Sequence, residues 1–124
     1  MKTILWVEDE ASFRYIVSRR LEDEGYDVVE SVGSMEALKI IESDRKIDLI
    51  LLDIRMPQGQ PHGIATGLMA RRKRPNVPIL FLTAYSDLAG IQPPIGEVIE
   101  KSSELAGLVS TIAKMLGSPD PIAA

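Results

Sequence analysis

Cysteine is absent from the 124 residues, which excludes disulfides and thiolate metal sites and leaves a reducing compartment open. Long apolar runs are missing too, none approaching the roughly 18 residues that a transmembrane helix needs. The first apolar segment, Ile4 to Val7, runs directly into Glu8, Asp9 and Glu10, which is too short and wrongly followed for a signal peptide. A cytoplasmic protein without a membrane partner is therefore expected. Neither sign of charge is in large excess, and a formal net charge of −4 falls short of an acidic disordered chain. The one basic run, Arg71-Arg72-Lys73-Arg74, has no interleaved aromatics and ends a helical segment, where cations complement the macrodipole. No nucleic-acid binding is expected from it. What remains, 45% hydrophobic and 26% charged residues, is an ordinary globular composition, at a length that fits one domain and one core.

The apolar residues that are present alternate between two patterns. Thr3 to Val7 is a short uninterrupted run that reads as a buried strand entering an acidic loop. From Glu10 to Glu24, Phe13, Ile16, Val17 and Leu21 recur at helical spacing, and Gly25 supplies a left-handed stop. Tyr26 to Val29 returns to a strand pattern. Ser34 can cap a helix that holds Leu38, Ile40 and Ile41, and Ile47 to Leu52 is a third strand ending at Asp53. After a Gly/Pro-rich loop from Met56 to Gly63 come a helix from about Ile64 to Arg72 and a fourth strand from Val77 to Leu82. Ile95 to Ile99 is a fifth strand. Ser102 or Ser103 can cap the last helix, whose Leu105, Leu108, Val109, Ile112 and Leu116 form one stripe before Gly117 and Pro119. Five strands with intervening crossovers imply an α/β fold, a doubly wound parallel sheet with helices on both faces.

In such sheets function gathers outside the carboxyl ends of the strands. The residues just past each apolar run are Glu8 and Asp9, then Asp53, Thr83 and Lys101, while the second strand contributes nothing obvious. Three converging carboxylates repel, so one pKa should rise unless a cation sits among them. Magnesium, a hard ion that takes oxygen ligands, is the natural occupant. Lys101 would face the opposite side of a bound phosphoryl group, and the Thr83 hydroxyl could donate to a further oxygen. Phe13 and Trp6 read most simply as core, and His62 as a solvated loop residue.

Taken in order, Ile4-Leu5-Trp6-Val7-Glu8-Asp9-Glu10, Leu51-Leu52-Asp53-Ile54-Arg55-Met56-Pro57, Leu82-Thr83-Ala84 and Lys101 resemble the motifs of response-regulator receiver domains. The resemblance runs from Lys2 to about Leu116. It implies a flavodoxin-like sheet of order 2-1-3-4-5 and a stand-alone receiver over residues 1–117 with a disordered tail over 118–124. It also implies a magnesium-dependent phosphorylation switch in a phosphorelay. By this resemblance Asp53 is the nucleophile and a metal ligand, Asp9 a direct ligand, Glu8 a ligand through water, and the Arg55 carbonyl a further ligand, with Thr83 and Lys101 assisting the transfer. The implied partners are a histidine kinase or histidine phosphotransfer protein as donor and an unidentified downstream protein target.

The chain departs from the family pattern after Thr83. Gly90, Pro93, Pro94 and Gly96 leave room only for a short fourth helix before Lys101. Val98 stands where receivers usually carry an inward-turning Tyr or Phe, so output is expected from the segment Ala84 to Pro94, with Tyr85 in it. Ser102 replaces a usual proline, and His62 an acidic residue. Phe81, Thr83 and Tyr85 partly match a stand-alone receiver subgroup. Two other functions fit some of these features. One is an adaptor that has lost phosphorylation. The other is an Asp-nucleophile phosphohydrolase of the haloacid-dehalogenase type, against which Arg55 stands where a second aspartate would be needed.

Overall fold

The computed structural model describes residues 1–55, 62–83, 96–101 and 104–117. The apolar runs become strands β1 Thr3–Val7, β2 Asp27–Ser31, β3 Leu49–Asp53, β4 Ile79–Thr83 and β5 Glu97–Glu100. Between and after them lie helices α1 Ala11–Asp23, α2 Ser34–Glu42, α3 Gly63–Lys73 and α4 Leu105–Leu116. All strand pairs are parallel and the order is β2-β1-β3-β4-β5, as the resemblance implied. No helix among the described residues is long and apolar enough to cross a membrane.

Burial of both sheet faces explains why the central strands are apolar at every position except the terminal Thr3, Asp53 and Thr83. Leu5, Val7, Ile50, Leu52, Ile79 and Phe81 pack with Ala37 and Ile41 of α2 and Ala70 of α3. The intervening residues Ile4, Trp6, Leu49, Leu51, Leu80 and Leu82 pack with Val17 and Leu21 of α1 and Leu108 and Ile112 of α4. Side chains along a strand alternate in direction, so each strand divides its residues between the two layers. Register keeps that parity across the sheet, pairing Trp6 with Leu51, Leu51 with Leu80 and Leu82 with Ile99.

Several element ends differ from the sequence reading. β3 starts at Leu49, because Ile47 and Asp48 precede the ladder and the Asp48 carboxylate is engaged in accepting the Thr3 amide at 2.7 Å. β4 starts after Pro78, since the Val77 amide is turned back to the Arg74 carbonyl at 3.2 Å. β5 begins at Glu97 and extends to Glu100. Ser34 is not the cap of α2: Gly33 holds that position without a side-chain bond, and the buried Ser34 hydroxyl accepts from Thr66 Oγ1 at 2.8 Å, tying α2 to α3. Glu104 precedes α4, and the proposed caps Ser102 and Ser103 lie outside the described residues. So do the loop 56–61, the short crossover helix, the Ala84–Pro94 segment with Tyr85, and the tail 118–124. Gly25 does adopt a left-handed φ of 98° after α1.

The basic run is partly structural. Arg74 donates through its guanidinium to the carbonyls of Ile41 at 3.0 Å and Ser43 at 2.7 Å, closing the C-terminus of α2. Arg71 donates to the carbonyls of Pro75 and Val77, both at 2.8 Å.

Candidate functional site

The parity of the sheet selects the residues that meet at its carboxyl edge. Glu8 follows Trp6 by two positions, Asp53 follows Leu51 by two and Lys101 follows Ile99 by two, so all three continue the layer shared with α1 and α4. The β1 ladder extends one residue beyond the strand, the Glu8 amide donating to the Ser31 carbonyl at 3.0 Å. The Lys101 amide likewise donates to the Thr83 carbonyl at 2.8 Å, which seats the lysine beside the end of β4. Thr83, one residue past Leu82, takes the opposite parity and is 1% exposed.

Helix α1 begins immediately after the acidic pair. The Glu10 carboxylate caps it, accepting from the Phe13 amide at 3.1 Å, and the Glu10 amide donates back to Glu8 Oε2 at 3.2 Å. In the next turn Arg14 Nη1 donates to the Glu8 carbonyl at 2.8 Å, while the Arg14 carbonyl accepts from Trp6 Nε1 at 3.1 Å. The segment that carries Glu8 is therefore tied to the start of α1 through both Glu10 and Arg14. His62, given no role by the sequence, caps α3 by accepting the Ile64 amide on Nδ1 at 3.3 Å.

One carboxylate oxygen from each of Glu8, Asp9 and Asp53 falls within 4.8 Å of the others. Glu8 and Asp53 are buried and Asp9 is exposed. Lys101 Nζ lies 2.9 Å from Glu8 Oε1 and 2.9 Å from Asp53 Oδ2, and the Arg55 amide donates to Asp53 Oδ1 at 3.2 Å. The approach to Asp53 is a directed hydrogen bond. That to Glu8 is an ion pair whose direction leaves Oε1 without a hydrogen bond among the described residues. The Lys101 ammonium also sits 5.0 Å from the centroid of the Phe13 ring. The structure thus brings together Glu8, Asp9, Asp53 and Lys101, with Thr83 and the Arg55 backbone adjoining. Phe13, read from the sequence as core, does pack against the core on Trp6 and in addition turns its ring toward the Lys101 ammonium.

One carboxyl does rise, and it is Glu8. Burial, opposed by the Lys101 ammonium and reinforced by the charge of Asp53, pushes it from 4.5 to about 7. Lys101 loses charge stability to burial but gains more from Glu8 and Asp53, so its pKa ends above the usual lysine value. These shifts set a pH dependence for the metal-free protein. A carboxyl whose folded pKa is raised contributes stability in full below its unfolded value, and loses it as pH rises through its folded value. With chelator present, the midpoint of thermal unfolding should fall as pH rises from 4.5 through about 7, a window in which Lys101 stays charged. Glu8→Gln should flatten that slope, and an equal slope in both proteins would assign it to other groups.

The family model described as the response regulator receiver domain matches residues 4–113. The chain belongs to this family. Among curated relatives of this receiver domain, a probable transcriptional regulator ycf27 of Porphyridium aerugineum is 41% identical over 86 residues, covering 69% of this chain and 34% of the relative. The phosphate regulon transcriptional regulatory protein PhoB of Pseudomonas aeruginosa is 32% identical, covering 97% of this chain and 54% of its own length. The chain thus spans between a third and about half of these two relatives. Among solved structures, the response regulator protein TrrA of Thermotoga maritima, in complex with Mg(2+)-BeF, matches with a TM-score of 0.82 at 32% identity, covering 94% of this chain and all of the other. A response regulator receiver protein of Sinorhizobium medicae matches at 0.83 and 28% identity, covering 96% and 97%.

Proposed function

We propose that this receiver domain is a phosphorylation switch in which Asp53 takes a phosphoryl group, in a magnesium-dependent reaction, from a phosphohistidine on a histidine kinase or histidine phosphotransfer protein. The observation that carries this reading is the geometry of Asp53. Its carboxylate is buried, bound by Lys101 at 2.9 Å on one oxygen and by the Arg55 amide on the other, and clustered with two further acids.

The donor set fits a hard divalent ion. Three carboxylates cluster, Lys101 pairs with two of them, Glu8 is forced toward its protonated form, and its Oε1 lacks a hydrogen bond among the described residues. Asp9, Asp53, the Arg55 carbonyl and, through water, Glu8 would hold it. Bound there, magnesium supplies positive charge to the phosphoryl oxygens during transfer. A carboxylate oxygen of Asp53 forms the new O–P bond as the P–N bond breaks, and the imidazole leaves with the electron pair. Lys101 places its ammonium against the oxygens on the far side, and the Thr83 hydroxyl donates to another. Water later cleaves the acyl phosphate and restores the carboxylate.

Relatives named as transcriptional regulators support a signalling role, the downstream protein target is proposed from the family resemblance, and no nucleic-acid contact is assigned to this chain. An adaptor that is never phosphorylated is favoured by one observation, Val98, which packs beside Phe81 where an aromatic would otherwise report the modification. Incubation with magnesium and acetyl phosphate separates the readings. The expected product carries one phosphoryl group per chain on a hydroxylamine-labile bond, and magnesium alone should raise the unfolding midpoint of wild type but not of Asp9→Ala. Absence of any adduct would favour the adaptor, and repeated turnover of an unrelated phosphoester a hydrolase.

A further inference from the structure

We infer that Phe13 is a positioning residue for Lys101, keeping the ammonium at the phosphoryl site when a cation has taken over the carboxylates; this rests on the function proposed above. Among the described residues the ammonium pairs with Glu8 and Asp53, lies 5.0 Å from the centroid of the Phe13 ring and feels the weaker, more distant charge of Glu10. The first two are also the groups that would face the metal. A divalent ion among Glu8, Asp9 and Asp53 weakens their pull on Lys101 and repels it in the interval before the phosphoryl group arrives to bind the ammonium in their place. The attraction of an ammonium to an aromatic face arises from the ring quadrupole and survives that change.

The ring is fixed where this contact needs it. Its own amide is held by Glu10 at 3.1 Å. It packs edge-to-face on Trp6, with centroids 5.9 Å apart and planes at 69°. Trp6 is fully buried and anchored by its indole bond to the Arg14 carbonyl. A lysine with 29% side-chain exposure has solvent available to it, and swinging out would withdraw the charge that the transferring phosphoryl group needs. Holding a flexible side chain in one place is a contribution to rate through positioning.

The test compares Phe13→Leu and Phe13→Met, which keep an apolar side chain without a ring, with Phe13→Tyr, which keeps the ring. Labelling by acetyl phosphate is followed at saturating magnesium, and magnesium affinity is measured by titration without the phosphodonor. Both ringless variants should label about tenfold more slowly than wild type, the factor that about 1.4 kcal/mol represents. Their magnesium affinity should stay within about twofold, and Phe13→Tyr should recover most of the rate. Unchanged rates in both ringless variants would overturn the inference alone. So would a parallel loss of rate and magnesium affinity, which is the signature of general packing against Trp6. Failure of wild type to label at all would overturn the function proposed for Asp53, and this inference with it.

Discussion

Asp53→Asn should take up no phosphoryl group from acetyl phosphate while keeping the wild-type fold. The amide is nearly isosteric with the carboxylate but is not a nucleophile for phosphorus, so labelling should drop below about a hundredth of wild type. The fold should tolerate the change because Asp53 is the last residue of β3 and its layer is completed by Leu49 and Leu51. Lys101 loses one charged partner and retains Glu8 at 2.9 Å. A second consequence follows from the charge removed. Asp53 is one of the causes that raise Glu8, so in the metal-free variant Glu8 should titrate lower and the pH-dependent loss of stability should shrink. Intact-mass measurement and pH-resolved thermal unfolding read the two effects separately. A single phosphoryl adduct at full wild-type rate on another residue would remove Asp53 from the nucleophile's place, whatever the unfolding curves show.

The parts of this site that the sequence displayed are those governed by strand periodicity. Apolar runs buried on both faces mark parallel strands, and the residues just beyond them, Glu8, Asp9, Asp53, Thr83 and Lys101, arrive at one edge because the strands are parallel and in register. Parity, which places Glu8, Asp53 and Lys101 in one layer and Thr83 in the other, was present in the same alternation. Phe13 was hidden because an aromatic in the first turn of an amphipathic helix has the spacing of a core residue. Its contact with Lys101 joins residues 88 positions apart in the chain. Ser34 was misread because a serine before an apolar stretch has the signature of a cap, whereas its neighbour across α3, Thr66, draws the hydroxyl into a buried pair. Arg74 looked like a cation placed for its own helix dipole, and instead closes the end of α2. In each case the deciding partner is remote in sequence, where local spacing carries no information.

Gly63→Ala should be strongly destabilising, and should slow phosphorylation from a position that touches no phosphoryl group. Gly63 opens α3 with its amide bonded to the Ile54 carbonyl at 2.8 Å. A Cβ there would meet the Asp53 carbonyl oxygen at 2.4 Å, Ile54 Cα at 2.5 Å and the Ile54 carbonyl oxygen at 2.7 Å. All three obstacles are backbone, so no side chain can rotate away, and either α3 lifts or the end of β3 moves. The expected cost is about 3 kcal/mol, at the upper end for overpacking. That corresponds to a fall of about 10 °C in the unfolding midpoint for a domain of this size. Because the displaced backbone carries Asp53, phosphorylation at a temperature where the variant remains folded should also slow. Gly107→Ala is the matched control. Gly107 lies in the first turns of α4, and a Cβ there would have nothing within 4 Å, so removing the glycine's conformational freedom should stabilise by about 0.5 kcal/mol. The two alanines should therefore move stability in opposite directions, and only the first should change the rate of phosphoryl uptake. If Gly63→Ala matched wild type in both measurements, the close seating of α3 on the end of β3 would not be what holds Asp53 in place.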